Sequence, residues 1–234
     1  MAIRYQARIL IAEMSRIEID RQTRPNGFRL VFVHLQGRRS ITSFLAIKSG
    51  SRHETAAENG IAHFLEHLVF KGTQKYPTNV EVANAIESVG GTLNAWTDHD
   101  HTAYWNIVPR SHADTGIELP FELAFRPKIR SADIERERGV ITEEIRMIHD
   151  DPASFVRDVS SQLTFSGHPL AQPIIGTEET VAAMSHEQFS RYRQRFYGAS
   201  QSVLVVAGDL TAEIIKRAEQ LSDEIPSGEV AVTA

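Results

Sequence analysis

Between Ser131 and His149 the apolar residues recur with the period of a helix, and the same face takes in two carboxylates. With Ile134 set at 0°, a turn of ~100° per residue brings Ile141, Ile145 and Ile148 within ~40° of it. Glu137 and Glu144 fall near ~300° and ~280°, inside the apolar arc, while Glu135 and Glu143 point elsewhere. An ionised carboxylate among isoleucines costs several kcal/mol unless a cation or hydrogen bonds compensate it. Whatever this chain folds into must set something positive against that helix. A salt bridge to arginine would meet the need, and so would a metal ion.

The metal has a signal of its own. His63-Phe64-Leu65-Glu66-His67 lies in a segment of helical spacing from Gly60 to Val69, with Asn59 as its expected N-cap and Gly72 as its stop. His67 then lies ~40° from His63 and Glu66 ~60° to the other side, so the three side chains share one arc of ~100°. Two imidazoles one turn apart suit zinc, and the adjacent carboxylate can reach a water held by the metal. The same residues could merely decorate a solvated helix face, but Leu65, Leu68 and Val69 give this helix a core side. The chain has ten histidines and no cysteine, so thiolate sites, thiol catalysis and disulfides are excluded. A catalytic zinc needs a third protein ligand. Glu144 is the expected one, with Glu137 supporting it.

Around these segments the pattern is strands first, then helices and strands in alternation, then helices. Strands are expected at Phe28 to His34, after the Pro25-Asn26-Gly27 turn, and at Ile41 to Ile47. Thr92 to Thr97 and Thr102 to Val108 read as a hairpin around Asp98-His99-Asp100-His101, and Ser202 to Ala207 as a buried strand. Helices are expected from Thr78 to Val89, His112 to Phe125 with a kink or late start at Pro120, and Ser131 to His149 with Ser131 and Asp133 as cap candidates. Others fall at Ser154 to Leu163, Thr180 to Met184, His186 to Phe196 and Thr211 to Leu221. The fold class is α+β with a mostly antiparallel sheet. A single domain over residues 1–234 is expected, with its core from about residue 25 to 225.

Composition narrows the function classes. With 41% hydrophobic and 24% charged residues among 234, the chain is globular. A net charge of −5, spread without a basic stripe, argues against nucleic acid as partner. No apolar run approaches a membrane span. The N-terminus, MAIRYQARILIAEM, makes no convincing signal peptide, so a cytoplasmic location is expected. His99 and His101 read as solvated turn residues rather than a second metal site.

Three ordered stretches, HFLEHLVFKGT from His63, GGTLNAWTDHDHTAY from Gly90 and ERERGVITEEIRMIHDD from Glu135, resemble the pitrilysin/insulinase family of zinc metallopeptidases, of the processing-peptidase type. Gly176-Thr177-Glu178 and VLVVAGDL from Val203 extend the likeness over nearly the whole chain from about residue 25. The resemblance implies that His63 and His67 bind one zinc ion, that Glu66 is the general base on the metal-held water, and that the last ligand falls on Glu144, with a supporting glutamate at Glu137. It implies a peptide substrate that adds to an edge strand at Gly91 to Trp96, with Asn94, Ala95 and Trp96 as its contacts. It also implies a second domain that helps hold the substrate. The chain matches only the N-terminal catalytic half, so a separate partner subunit, a further domain or a homo-oligomer is expected to complete the enzyme. A non-catalytic scaffold subunit of the same fold is the alternative; an intact His63, Glu66, His67 and Glu144 set disfavours it.

Overall fold

The structure, a computed structural model, describes residues 17–228; the N-terminal stretch weighed above as a signal peptide lies outside them. In chain order the elements are β1 (Glu18–Thr23), β2 (Arg29–His34), β3 (Ser40–Ile47), α1 (Ile61–Val69), α2 (Asn79–Glu87), β4 (Thr92–Thr97) and β5 (Thr102–Pro109). There follow α3 (Ala113–Phe125), α4 (Ser131–Asp150), α5 (Pro152–Thr164), α6 (Glu178–Ala183), α7 (His186–Phe196), β6 (Ser202–Gly208) and α8 (Ala212–Asp223). The strands form one six-stranded sheet in the order β1-β2-β6-β3-β5-β4. All neighbours are antiparallel except β2 and β6, which run parallel. The α+β architecture expected from the sequence is present.

Side chains that alternate along a strand let one face of the sheet bury while the other stays half open. On β3, Ile41, Leu45 and Ile47 point into the core together with Leu30 and Phe32 of β2 and Leu204 and Val206 of β6. Phe64, Leu65 and Leu68 of α1 and Ile117 and Phe121 of α3 close this core from the helical layer. β4 lies at one edge of the sheet, and α1 packs beside it.

One strand was not expected, and two expectations are corrected. β1 has no apolar alternation to announce it; its exposed, charged residues are strand because they pair with β2, from Glu18 opposite His34 to Thr23 opposite Arg29. α3 runs unbroken through Pro120. A proline there removes the N–H that the Gly116 carbonyl would accept, and Asn106 Nδ2 of β5 donates to that carbonyl instead, at 2.7 Å. A Cβ on Gly116 would lie 2.6 Å from Val108, so the glycine is what lets α3 approach the strand closely enough. At the start of α4 the cap position belongs to Arg130, with no side-chain cap; Asp133 lies buried in the first turn, paired with Arg130 and Arg136.

Candidate metal centre

α1 begins at Gly60, whose φ of 94° is left-handed, rather than at a capping Asn59. The first-turn N–H groups are answered from farther back. Glu54, buried, accepts from Gly60 N at 2.8 Å and Ala62 N at 2.9 Å. With Ile61, Phe64, Leu65 and Leu68 turned to the core, the helix presents His63, Glu66 and His67 on its other side. α4 packs against α1 and brings Glu137 and Glu144 to that side; Glu135 and Glu143 stay exposed, paired with Arg138 and Arg146.

His63, His67 and Glu144 offer ligand atoms that all lie within 4.8 Å of one another, the one such group among the described residues. His63 Nε2 is 3.8 Å from Glu144 Oε1, and His67 Nε2 is 3.6 Å from Glu144 Oε2. Both separations are too long for hydrogen bonds, so the three groups converge without satisfying one another. Among the described residues, His63 Nδ1 is buried without a hydrogen-bond partner. Burial, with a smaller contribution from His67, pushes the His63 imidazole down to about 4, so it is neutral near pH 7.

Around this group each carboxylate has its own partner. Glu66 accepts from Thr97 Oγ1 at 2.6 Å. Burial raises its carboxyl above the usual range, the charge of Glu144 adds to the rise, and the Thr97 bond and His67 oppose it. Glu137 is only 3% exposed; it sits 3.5 Å from His67 Nδ1 and 2.8 Å from Lys71 Nζ. A lysine, not an arginine, thus answers this buried charge. Its signal was local: Lys71 follows His67 by one helical turn. Glu54 lies six and eight residues before the N–H groups that it accepts from, too far back for a local capping pattern to show it.

β4 supplies the remaining expected residues, on two faces. Thr97 turns toward Glu66, and Leu93 and Ala95 pack toward the core. Asn94 and Trp96 occupy the other face; Trp96, 40% exposed, packs on Phe44 at 5.3 Å between ring centroids. The Trp96 side chain is therefore not brought to the metal group. Asn94 Oδ1 accepts from Ala95 N at 2.8 Å. His99 is tied to Ser51 Oγ at 2.7 Å and Asp100 to Arg52, so the hairpin turn is fastened to the segment before α1. Next to the metal group opens a cavity of about 310 Å³, walled by His63, Glu144, Arg157, Asp158 and residues 172–175.

The sequence profile described as "Insulinase (Peptidase family M16)" matches residues 29–178, which takes in all of these side chains. The chain belongs to this family. The "Uncharacterized zinc protease YmxG" of Bacillus subtilis is 36% identical over 202 residues, covering 86% of this chain and 49% of the relative. The beta subunit of the mitochondrial-processing peptidase of Caenorhabditis elegans is 32% identical over 208 residues, 88% of this chain and 45% of the relative. In fold, a protease from Helicobacter pylori superposes with a TM-score of 0.86 at 23% identity, over 93% of this chain and 53% of that one. The chain spans about half the length of the relatives it matches. Among the described residues no helix is long and apolar enough to cross a membrane.

Proposed function

We propose that this chain is the metal-bearing domain of a zinc-dependent peptidase. The observation that carries this is the convergence of His63, His67 and Glu144 without a hydrogen bond among them. Two imidazoles and a carboxylate suit zinc, and a neutral His63 is in the form a metal requires. A zinc ion at such a site supplies Lewis-acid polarisation of a carbonyl and acidifies water.

The chain's own residues do the rest. His63, His67 and Glu144 would hold the ion, one per chain. Glu137, itself neutralised by Lys71, faces Nδ1 of His67 and so fixes the ring that would bind through Nε2. Glu66 is the general base: burial raises its proton affinity, and Thr97 steadies one carboxylate oxygen while the other is available to take a proton from water. β4, at the sheet edge, would take an extended peptide by main-chain hydrogen bonds with the scissile bond near Asn94 and Ala95. The Ala95 N–H held by Asn94 would be released for that purpose. Because the relatives are about twice as long, full activity needs a second domain, a partner subunit or a second copy.

Metal analysis tests the reading. The purified chain should hold close to one zinc, lost in a Glu144→Ala variant; a chain that binds none under metal add-back is the scaffold alternative. Glu66→Gln should keep the zinc and abolish peptide hydrolysis in the completed enzyme. Parental cleavage by that variant would remove Glu66 from the role.

A further inference from the structure

The stretch just before α1 holds a buried carboxylate that the chemistry above does not use. Glu54 is 5% exposed, and its two oxygens are committed to three donors: Gly60 N and Asn59 Nδ2 on Oε2, and Ala62 N on Oε1. Asn59 Nδ2 also donates to the Pro173 carbonyl at 2.9 Å. One amide group thus bridges the start of the metal-bearing helix and the segment that walls the cavity. The two backbones interlock at the same place. A Cβ on Gly60 would lie 2.5 Å from the Ile175 carbonyl oxygen, and one on Gly176 2.5 Å from that of Asn59; both glycines have positive φ. Residues 173–175 face the same cavity as His63 and Glu144.

We propose that Glu54 is a positioning residue for the metal centre, locking the first turn of α1 and the 173–176 wall into one rigid unit. This rests on the zinc reading for its affinity readout only. The reasoning is geometric. His63 comes one residue after Ala62, so the N–H held by Glu54 Oε1 sets where the imidazole begins. Asn59, oriented by Oε2, carries the same constraint across to Pro173. A glutamine at position 54 has only one accepting oxygen and turns an amino group toward one of these donors, so at least one of them loses its partner.

The test uses the whole chain at pH 8, comparing the parent with Glu54→Gln and Asn59→Ala. Zinc affinity is measured by competition with a chromophoric chelator, and amide hydrogen exchange is measured on the metal-free protein. Glu54→Gln should weaken zinc about tenfold and speed exchange at both 60–63 and 174–176. Asn59→Ala, which leaves the two backbone bonds to Glu54 in place, should speed exchange at 174–176 and leave 60–63 at the parental rate. If Glu54→Gln fails to fold, Glu54→Asp is read in its place. A folded position-54 variant with parental zinc affinity overturns the proposal, since a purely structural cap would lower the unfolding midpoint alone. So does faster exchange confined to 60–63. A parent that binds no zinc removes the proposed function, and the exchange pattern then decides the rigid unit by itself.

Discussion

Two almost fully buried carboxylates, Glu137 and Glu54, meet the metal-bearing helix at different points, and the protein answers them by opposite means. Glu137, in the middle of α4, is met by a charge, the ammonium of Lys71, and by the imidazole of His67. Glu54, ahead of α1, is met by N–H groups that carry no formal charge. Burial pushes its carboxyl up to about 7, and those three donors only partly oppose the rise. The lesson concerns what each helix end offers. The first turn of a helix has free N–H groups and a positive end of its dipole, so a carboxylate placed there is partly compensated without a cation. Mid-helix, every backbone donor is already used, and only a side chain can compensate.

The largest effect should come from breaking the charged answer. Lys71→Met strands Glu137 and should cost about 4 kcal/mol in denaturant unfolding of the metal-free chain. Adding Glu137→Met should recover most of it. A full loss in the double variant would mean that packing, not charge, sets the cost.

Next comes the neutral answer, read through pH. Glu54 holds its proton longer in the folded chain, with Glu58 and Tyr192 as the ionisable neighbours that also disfavour its charge or feel it. Its contribution to stability is fully present below about 4.5, the unfolded value, and is lost as pH rises through about 7. The expected loss is about 3 kcal/mol. Comparing the pH dependence of unfolding in the parent and in Glu54→Gln isolates this slope; identical slopes would contradict it.

A neutral acceptor should matter less than either carboxylate. Asn106→Ala leaves the Gly116 carbonyl without a donor opposite Pro120 and should cost about 2 kcal/mol. A larger loss would show that α3 depends on that bond to pass the proline at all. The smallest effect should be at Asp151, an exposed carboxylate that caps α5 through Ala153 N and Ser154 N. Asp151→Ala should lower the unfolding midpoint less than any of the others, because water can take over the freed donors.

The same contrast explains what could be read from the chain alone. The placement of Glu137 and Glu144 on the side of α4 that meets α1 was legible, because a helix repeat is local and 20 residues long. So was the side-by-side arrangement of His63, Glu66 and His67, and so was the hairpin of β4 and β5. What escaped depends on partners distant in sequence or on no pattern at all. β1 is a strand only through its pairing with β2. Pro120 is tolerated because a side chain on β5 lends a donor, and nothing near Pro120 announces it. The alternation along β4 was readable, but which set faces the helices was decided by the pairing with β5, and it sent the Trp96 ring to the far side. Glu54 caps α1 from across one short turn of 3-10 helix, Ala56–Glu58, beyond any window centred on the helix start.

The contact between Asn94 and the Ala95 N–H has a consequence for how copies of the protein meet one another. A bare strand edge is sticky, and copies of a protein that carry one can zip together into aggregates. Here Asn94 occupies an edge donor of its own strand. An incoming chain must displace that amide before it can bond, so a brief brush with a neighbouring copy gains little. A long extended segment, with many bonds to offer, can outcompete it. The edge is guarded against its own kind, and on the function proposed above it yields to an extended peptide.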